Sequence, residues 1–453
     1  MIYLYDLLIK NGTIVDPIKG KEKLNIAVKN GIIAKLTKEF LPTNKEINVD
    51  GQYISPGFID IHIHEDKLEN NKIEFDIFKT MALMGVTTAV GGNCGFSSQN
   101  LSNYFESLER QKPLINYLGL SGYGSLREKA GVKDNYKHIS DSKIKEIKRL
   151  LKEDLEAGSL GLSFGLEYTP GLTTKEMIEL SELVAEYPQR LVTAHYRFDS
   201  VRALESIAEL IIIAREAGNK MQISHLGSCT AYGQTAEALK MIEQANKAGI
   251  DIMADIYPYD AFSSYIGSAV FDAGCFEKWG IDYEAVKILE GKYKGQECTE
   301  KIFNYLRKNE VDTLVAVSAM DESEIVEAIK NPLLMIASDG LLNQGQGHPR
   351  SAGTCPRVIA KYVRKEKQIS LKNAVNKMTN LPAQRIGLSK KGRIKEGYDA
   401  DLTIFDFNTI EDNASFEQPT KAPTGINHVL IKGVEIVKNS ELTGQRSAEV
   451  IKL

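Results

Sequence analysis

The stretch Pro56-Gly57-Phe58-Ile59-Asp60-Ile61-His62-Ile63-His64 decides how the rest of the chain is read. A Pro-Gly turn opens a short apolar, β-branched run, which predicts a buried strand. That strand delivers two imidazoles two residues apart. Side chains at i and i+2 leave a strand on the same side, the spacing that two ligands of one metal ion need. Taken alone, such a pair is more often a hydrogen-bonded core or surface pair; its place directly after Pro56-Gly57-Phe58-Ile59-Asp60 tips the reading toward ligation.

Working outward, seven more short apolar runs follow, at 87–90, 114–118, 160–163, 191–194, 221–224, 251–254 and 334–337. Between several of them lie amphipathic helical patterns, such as 143–157 and 201–217, with apolar residues recurring at three and four. Eight strands alternating with helices predict an α/β chain whose residues 55–385 form a (β/α)8 barrel rather than an open doubly wound sheet. The gap at 270–330 is too long for one βα unit and predicts an inserted segment with extra helices over the barrel mouth. Both ends of the chain read as short strands, separated at the N-terminal end by Asn-Gly and Asp-Pro turn signals, Asn30-Gly31 among them. Residues 1–54 and 386–453 are therefore expected to assemble into one small β-sandwich domain.

Composition narrows the function classes. The 453 residues are 43% hydrophobic and 26% charged, the balance of a chain that folds in water. Lys plus Arg number 56 against 60 Asp plus Glu, so no basic field exists to hold a nucleic acid. No run approaches the roughly 18 apolar residues of a membrane span. Asp6 and Lys10 interrupt the first apolar run, which argues against a signal peptide. Five scattered cysteines without a CxxC pair fit a reducing, cytoplasmic setting better than a secreted disulfide scaffold.

Of seven histidines, His62, His64, His195 and His225 stand at or just after predicted strand ends. In a barrel those ends meet at one mouth, so residues far apart in sequence converge. Cys94 follows the second strand in a Gly-rich turn, Gly91-Gly92-Asn93-Cys94-Gly95, where a thiolate can approach a cation, although a single Cys is more often a small buried hydrophobe. Asp339 follows the eighth strand in Ser338-Asp339-Gly340; its carboxylate could take a proton from a metal-bound water, or could simply make an Asp-Gly turn.

These segments together resemble the metal-dependent amidohydrolase superfamily, and within it the D-aminoacylase (N-acyl-D-amino-acid deacylase) branch. The likeness spans nearly the whole chain. PGFIDIHIHED (56–66) resembles the first-strand HxH segment, GVTTAVGGNCGFS (85–97) the cysteine ligand loop and GLSFGLEYTPG (161–171) the fourth-strand segment. TAHYR, MQISHLG, DIYPY and IASDG followed by GHPRSAGTCPRV are similar to the fifth- to eighth-strand segments. HxH is a superfamily signal; NCGFS, YPY and SDG with HPR are far more specific to the branch.

The resemblance implies that Cys94, His195 and His225 hold one tight zinc, and that His62, His64 and Asp339 form a second, weaker position. One thiolate and two imidazoles suit zinc and leave a coordination place open. It further implies that Asp339 is the general base, that Arg350 grips a substrate α-carboxylate, and that Tyr257 and Ser263 are supporting hydroxyl donors. The implied reaction is hydrolysis of an N-acyl-D-amino acid. The implied partner is a small molecule with a free carboxylate, and a homo-oligomer stays open.

Three departures stand out. The fourth strand offers Glu167 where many superfamily members carry a bridging lysine; Glu167 reads as a bridging ligand, a supporting acid or a structural carboxylate. Tyr123 stands where the branch commonly shows histidine. Gly227 stands where members specific for acidic substrates place a lysine, so a neutral side chain is expected. Two other readings compete with this one. A cyclic-amide hydrolase of the dihydroorotase or hydantoinase type is disfavoured by Cys94 and the missing lysine, and a noncatalytic binding or assembly barrel by the intact ligand set.

Overall fold

The computed structural model describes residues 4–453; Met1 to Tyr3, the start of the run read above for a leader, lie outside the described residues. Eight parallel strands make the barrel: Phe58–Asp60, Val86–Gly91, Asn116–Gly119 continued by Ser121–Gly122, Gly161–Gly165, Leu191–His195, Lys220–Ile223, Ile252–Ile256 and Leu334–Ile336. The third strand changes partner at Leu120, pairing with the second strand below it and with the fourth above it. A parallel bridge between Ile63 and Gly340 closes the ring. Asp60 reinforces the closure, its buried carboxylate accepting the backbone N–H groups of His62 and Ser338 at 3.1 Å.

The strands read as near-continuous apolar runs because both faces are covered, by side chains inside the barrel and by helices outside. Those helices carry local signals. Thr174–Ala185 opens on a capping box in which Thr173 and Glu176 satisfy each other's backbone N–H groups. Ala203–Ala217 ends on Gly218 in the left-handed region, the usual device for stopping a helix.

A β-sandwich with its own apolar core, including Leu7, Ile9, Ile26, Ile54, Leu402 and Ile404, packs beside the barrel. One sheet is wholly N-terminal: Ile32–Thr37, Asn25–Lys29, Tyr5–Lys10 and Thr43–Asn48 in that order. The other has seven strands, and at its centre Tyr53–Pro56 pairs antiparallel with Leu402–Phe405. Beyond the sandwich, the last residues run back along the third barrel strand, where Tyr117 exchanges hydrogen bonds with Glu449 and Ile451.

The segment between the seventh and eighth barrel strands holds helices, among them Cys275–Trp279 and Glu300–Asn309. It also contains an antiparallel sheet of Ala261–Tyr265, Leu314–Ser318 and Val286–Ile288. This sheet went unseen in the sequence because its strands are as short as three residues and are paired across long loops.

Candidate metal centre and active site

Six side chains converge at the C-terminal mouth of the barrel. Cys94 Sγ lies 3.4 Å from His225 Nε2, and His225 Nε2 lies 3.0 Å from His195 Nδ1. On the other side Cys94 Sγ is 3.3 Å from His62 Nε2, itself 3.3 Å from Asp339 Oδ1, which also meets His64 Nε2 at 3.1 Å. Two donor sets result, Cys94–His195–His225 and His62–His64–Cys94–Asp339, each with its atoms within 4.8 Å of one another. Cys94 belongs to both, whereas the sequence reading gave it to the first alone.

Zinc fits the first set. Donors at about 2.0–2.3 Å around a tetrahedral ion stand about 3.3–3.6 Å apart, close to the separations found. The donor chemistry agrees: burial alone would push the Cys94 thiol up, yet His62 and His225, with hydrogen bonds to His195 and His225, hold it well below the usual thiol range.

The local fold explains how Cys94 arrives there. The loop after the second strand presses its backbone onto the third and fourth strands: a Cβ on Gly165 would lie 2.1 Å from the Cys94 carbonyl oxygen, and one on Gly122 2.6 Å from that of Gly95. Glu65 holds the loop at both ends, accepting the N–H of Gly92 at 2.5 Å and of Ser98 at 3.2 Å. Cys94, His225 and Asp339 all have positive φ, at 54°, 34° and 49°, conformations that turn each side chain into the mouth at a cost of about 1–3 kcal/mol each.

The supporting partners fix ring orientation. His62 Nδ1 faces Asp255 Oδ1 at 3.2 Å, and the same oxygen accepts the His225 N–H at 2.7 Å. Ser228 Oγ lies 2.8 Å from His225 Nδ1, leaving Nε2 toward the donor cluster. Glu167 belongs to neither donor set, and its Oε2 meets His195 Nε2 at 3.1 Å on the side of the ring away from His225. Its Oε1 pairs with Lys278 at 3.1 Å. Asp255 and Lys278 were missed in the sequence. Asp255 had a signal, a carboxylate inside an apolar strand; Lys278 had none, being one lysine of an insertion.

Asp339 is ionised. Against its burial, Arg350, His62 and His225 hold its carboxyl well below the usual range. Arg350 is buried too, with Nη2 2.7 Å from Asp339 Oδ2 and Nε donating to the Asp339 carbonyl at 2.9 Å. Its guanidinium lies 4.5 Å from the centre of the Tyr257 ring. Arg350 Nη1 and Tyr257 Oη are both buried without a hydrogen-bond partner. Ser263 lines the same cleft, but its hydroxyl donates to the Val315 carbonyl at 2.8 Å. The cleft is also lined by Glu167, Tyr168, Asp199 and Phe262. Tyr123 is not part of it; its hydroxyl bonds Glu176 at 3.1 Å on the helical side of the fourth strand.

A family model described as the amidohydrolase family matches residues 53–436. The chain belongs to the amidohydrolase family. This amidohydrolase is 30% identical to an N-acyl-D-glutamate deacylase of Alcaligenes xylosoxydans xylosoxydans, over 95% of this chain and 93% of the relative. It is 28% identical to a D-aminoacylase of known crystal structure, covering 99% and 100% of the two chains with a TM-score of 0.88. A Bordetella bronchiseptica N-acyl-D-glutamate deacylase, solved with zinc and a phosphonate mimic of the tetrahedral intermediate, aligns at 27% identity and a TM-score of 0.86 over 99% and 100%. The protein is thus a metal-binding hydrolase of amide C–N bonds, within the branch that its motifs resemble.

Proposed function

We propose that this amidohydrolase hydrolyses N-acyl-D-amino acids with side chains that are not acidic, using one tight zinc held by Cys94, His195 and His225. His62, His64 and Asp339 form the weaker second position. The observation that carries the reading is the pair of unpartnered buried donors, Tyr257 Oη and Arg350 Nη1, beside the ligand cluster. Buried donors without partners are costly, and a substrate α-carboxylate would satisfy both. Ser263 joins them only by giving up its bond to Val315. The D configuration rests on the deacylases to which the chain is similar.

Zinc supplies polarisation of the amide carbonyl and a more acidic water. The chain supplies the proton traffic. Asp339, ionised and buried, accepts the proton of the attacking water and returns it to the leaving nitrogen. His62 and His64 hold its Oδ1 and Arg350 its Oδ2, so the carboxylate cannot swing out of line.

Side-chain preference follows from charge. Glu167 and Asp199 line the cleft with the single ammonium of Lys278 between them, so an anionic side chain would meet surplus negative charge. Gly227 offers no compensating cation, and a Cβ there would stand 2.5 Å from Ile325 Cδ1. The preference thus departs from that named for the glutamate deacylases. Metal analysis combined with a screen of N-acetyl-D- and N-acetyl-L-amino acids tests the whole reading. Turnover of D-methionine or D-leucine derivatives well above D-glutamate is expected. An L preference, or N-acetyl-D-glutamate as the best substrate, would overturn the corresponding part.

A further inference from the structure

The geometry points to Lys278 as a positioning residue that fixes the ligand His195 from the insertion, acting through Glu167; the inference rests on the zinc reading above. Lys278 lies in the short helix Cys275–Trp279, outside the barrel, yet its Nζ reaches two carboxylates on two different barrel loops. It stands 3.1 Å from Glu167 Oε1, just past the fourth strand, and 2.6 Å from Asp199 Oδ1, just past the fifth. Its neighbour Trp279 donates from Nε1 to the other Asp199 oxygen at 2.7 Å, and Ser200 Oγ donates to the Lys278 carbonyl at 2.8 Å. The Trp279 ring packs against Phe262 and Phe271. These contacts latch the insertion to the barrel beside the donor cluster, and Lys278 stands one hydrogen-bonded residue away from His195.

The chemistry gives the latch a direction. A His195 that presents Nδ1 to a metal carries its proton on Nε2, and Glu167 Oε2 at 3.1 Å is the acceptor that holds the ring in that tautomer and plane. Glu167 and Asp199 are both buried, and apart from the His195 ring, Lys278 is the sole cation paired with either among the described residues. Removing the ammonium leaves two neighbouring buried carboxylates without their cation. Glu167 then has reason to turn toward solvent, and His195 loses its acceptor. None of the three residues belongs to either donor set, so the effect reaches the metal only by way of His195.

The test is a double-substitution cycle read on zinc affinity. Zinc dissociation constants are measured by chelator competition for the wild type, Glu167→Gln, Lys278→Met and the double variant, with the visible absorption of the cobalt-substituted proteins as a second readout. Loss of a partner of a ligating histidine weakens metal binding by about 10- to 100-fold, so Glu167→Gln is expected near tenfold and Lys278→Met, one step removed, at about threefold or more. The double variant should match Glu167→Gln alone, and Lys278→Arg should restore near wild-type affinity. Should Lys278→Met prove insoluble, Lys278→Gln takes its place in the cycle. A lowered melting temperature with unchanged zinc affinity and cobalt spectrum would make Lys278 a structural latch only and overturn the inference. Additive losses in the double variant would equally overturn it, by showing that Lys278 does not act through Glu167. A wild type that binds no zinc at all would bring down the zinc reading itself, a result distinct from both.

Discussion

In the β-sandwich the non-glycine residues with positive φ include Asn11, Asn30, Lys432, Asn439 and Ser440, all in turns between strands, whereas at the barrel mouth they include Cys94, His225 and Asp339. Asparagine tolerates the left-handed region because its short amide bonds locally to the backbone. Cysteine has no such local device, and the Cys94, His225 and Asp339 that carry the chemistry are each held by their surroundings rather than by a bond to their own turn. Glu65 grips the Cys94 loop, Asp255 the His225 backbone and Arg350 the Asp339 carbonyl. The sandwich thus obeys local rules around an apolar core, while the mouth breaks them with buried charge and strained backbone. Local misfit marks the site.

The comparison breaks most visibly at Cys94. Cys94→Ala removes the donor shared by both sets, and zinc content with activity should fall by about a hundredfold or more; full zinc and full turnover in that variant would sink the ligand assignment. Asp339→Asn should fold, keep the tight zinc and lose about 10²–10⁴ in kcat, the range for a removed general base; an undiminished kcat eliminates Asp339 from that role. Arg350→Ala is expected to raise KM about tenfold or more for free acids and little for amidated substrates. A uniform rise across both would say that Arg350 serves only to hold Asp339. In the sandwich the same backbone feature should matter far less: Asn30→Ala is expected to cost about 1–2 kcal/mol, read as a small drop in melting temperature with kcat untouched. The smallest effect concerns Glu435, held down to about 2 by its bond to His428 and, against its burial, by Lys45. A depressed carboxyl stabilises the fold above its ordinary value near 4.5 and loses that contribution as pH falls toward 2. Glu435→Gln should therefore flatten the decline of melting temperature below pH 4.5, and parallel curves would remove Glu435 from the acid response.

Much of this was legible in the sequence for a physical reason. Parallel strands buried on both faces leave apolar runs that cannot be mistaken for surface, and imidazoles at their ends are rare enough to stand out. The donor atoms of His62, His64, Cys94, His195, His225 and Asp339 fall into two neighbouring groups that share Cys94. Groups whose role depends on who approaches them were not legible. Lys278 is placed by the docking of an insertion and Glu65 by a loop folding back on it; Arg350 and Tyr257 were named through the resemblance, but that Nη1 and Oη stand without partners is set by packing of a guanidinium over a ring. The insertion's small sheet was hidden for the same reason, since its pairing partners are set by tertiary contact rather than by adjacent turns.

The central pairing of the sandwich, Ile54 with Ile404, joins residues 350 positions apart, with the entire barrel threaded between them. As the chain leaves the ribosome, the strand Tyr53–Pro56 must therefore wait, one edge unpaired, until Leu402–Phe405 has been made. Every barrel strand is available by then. The catalytic half can close on its own contacts, and the sandwich is sealed last, as a clasp fastened over a finished barrel.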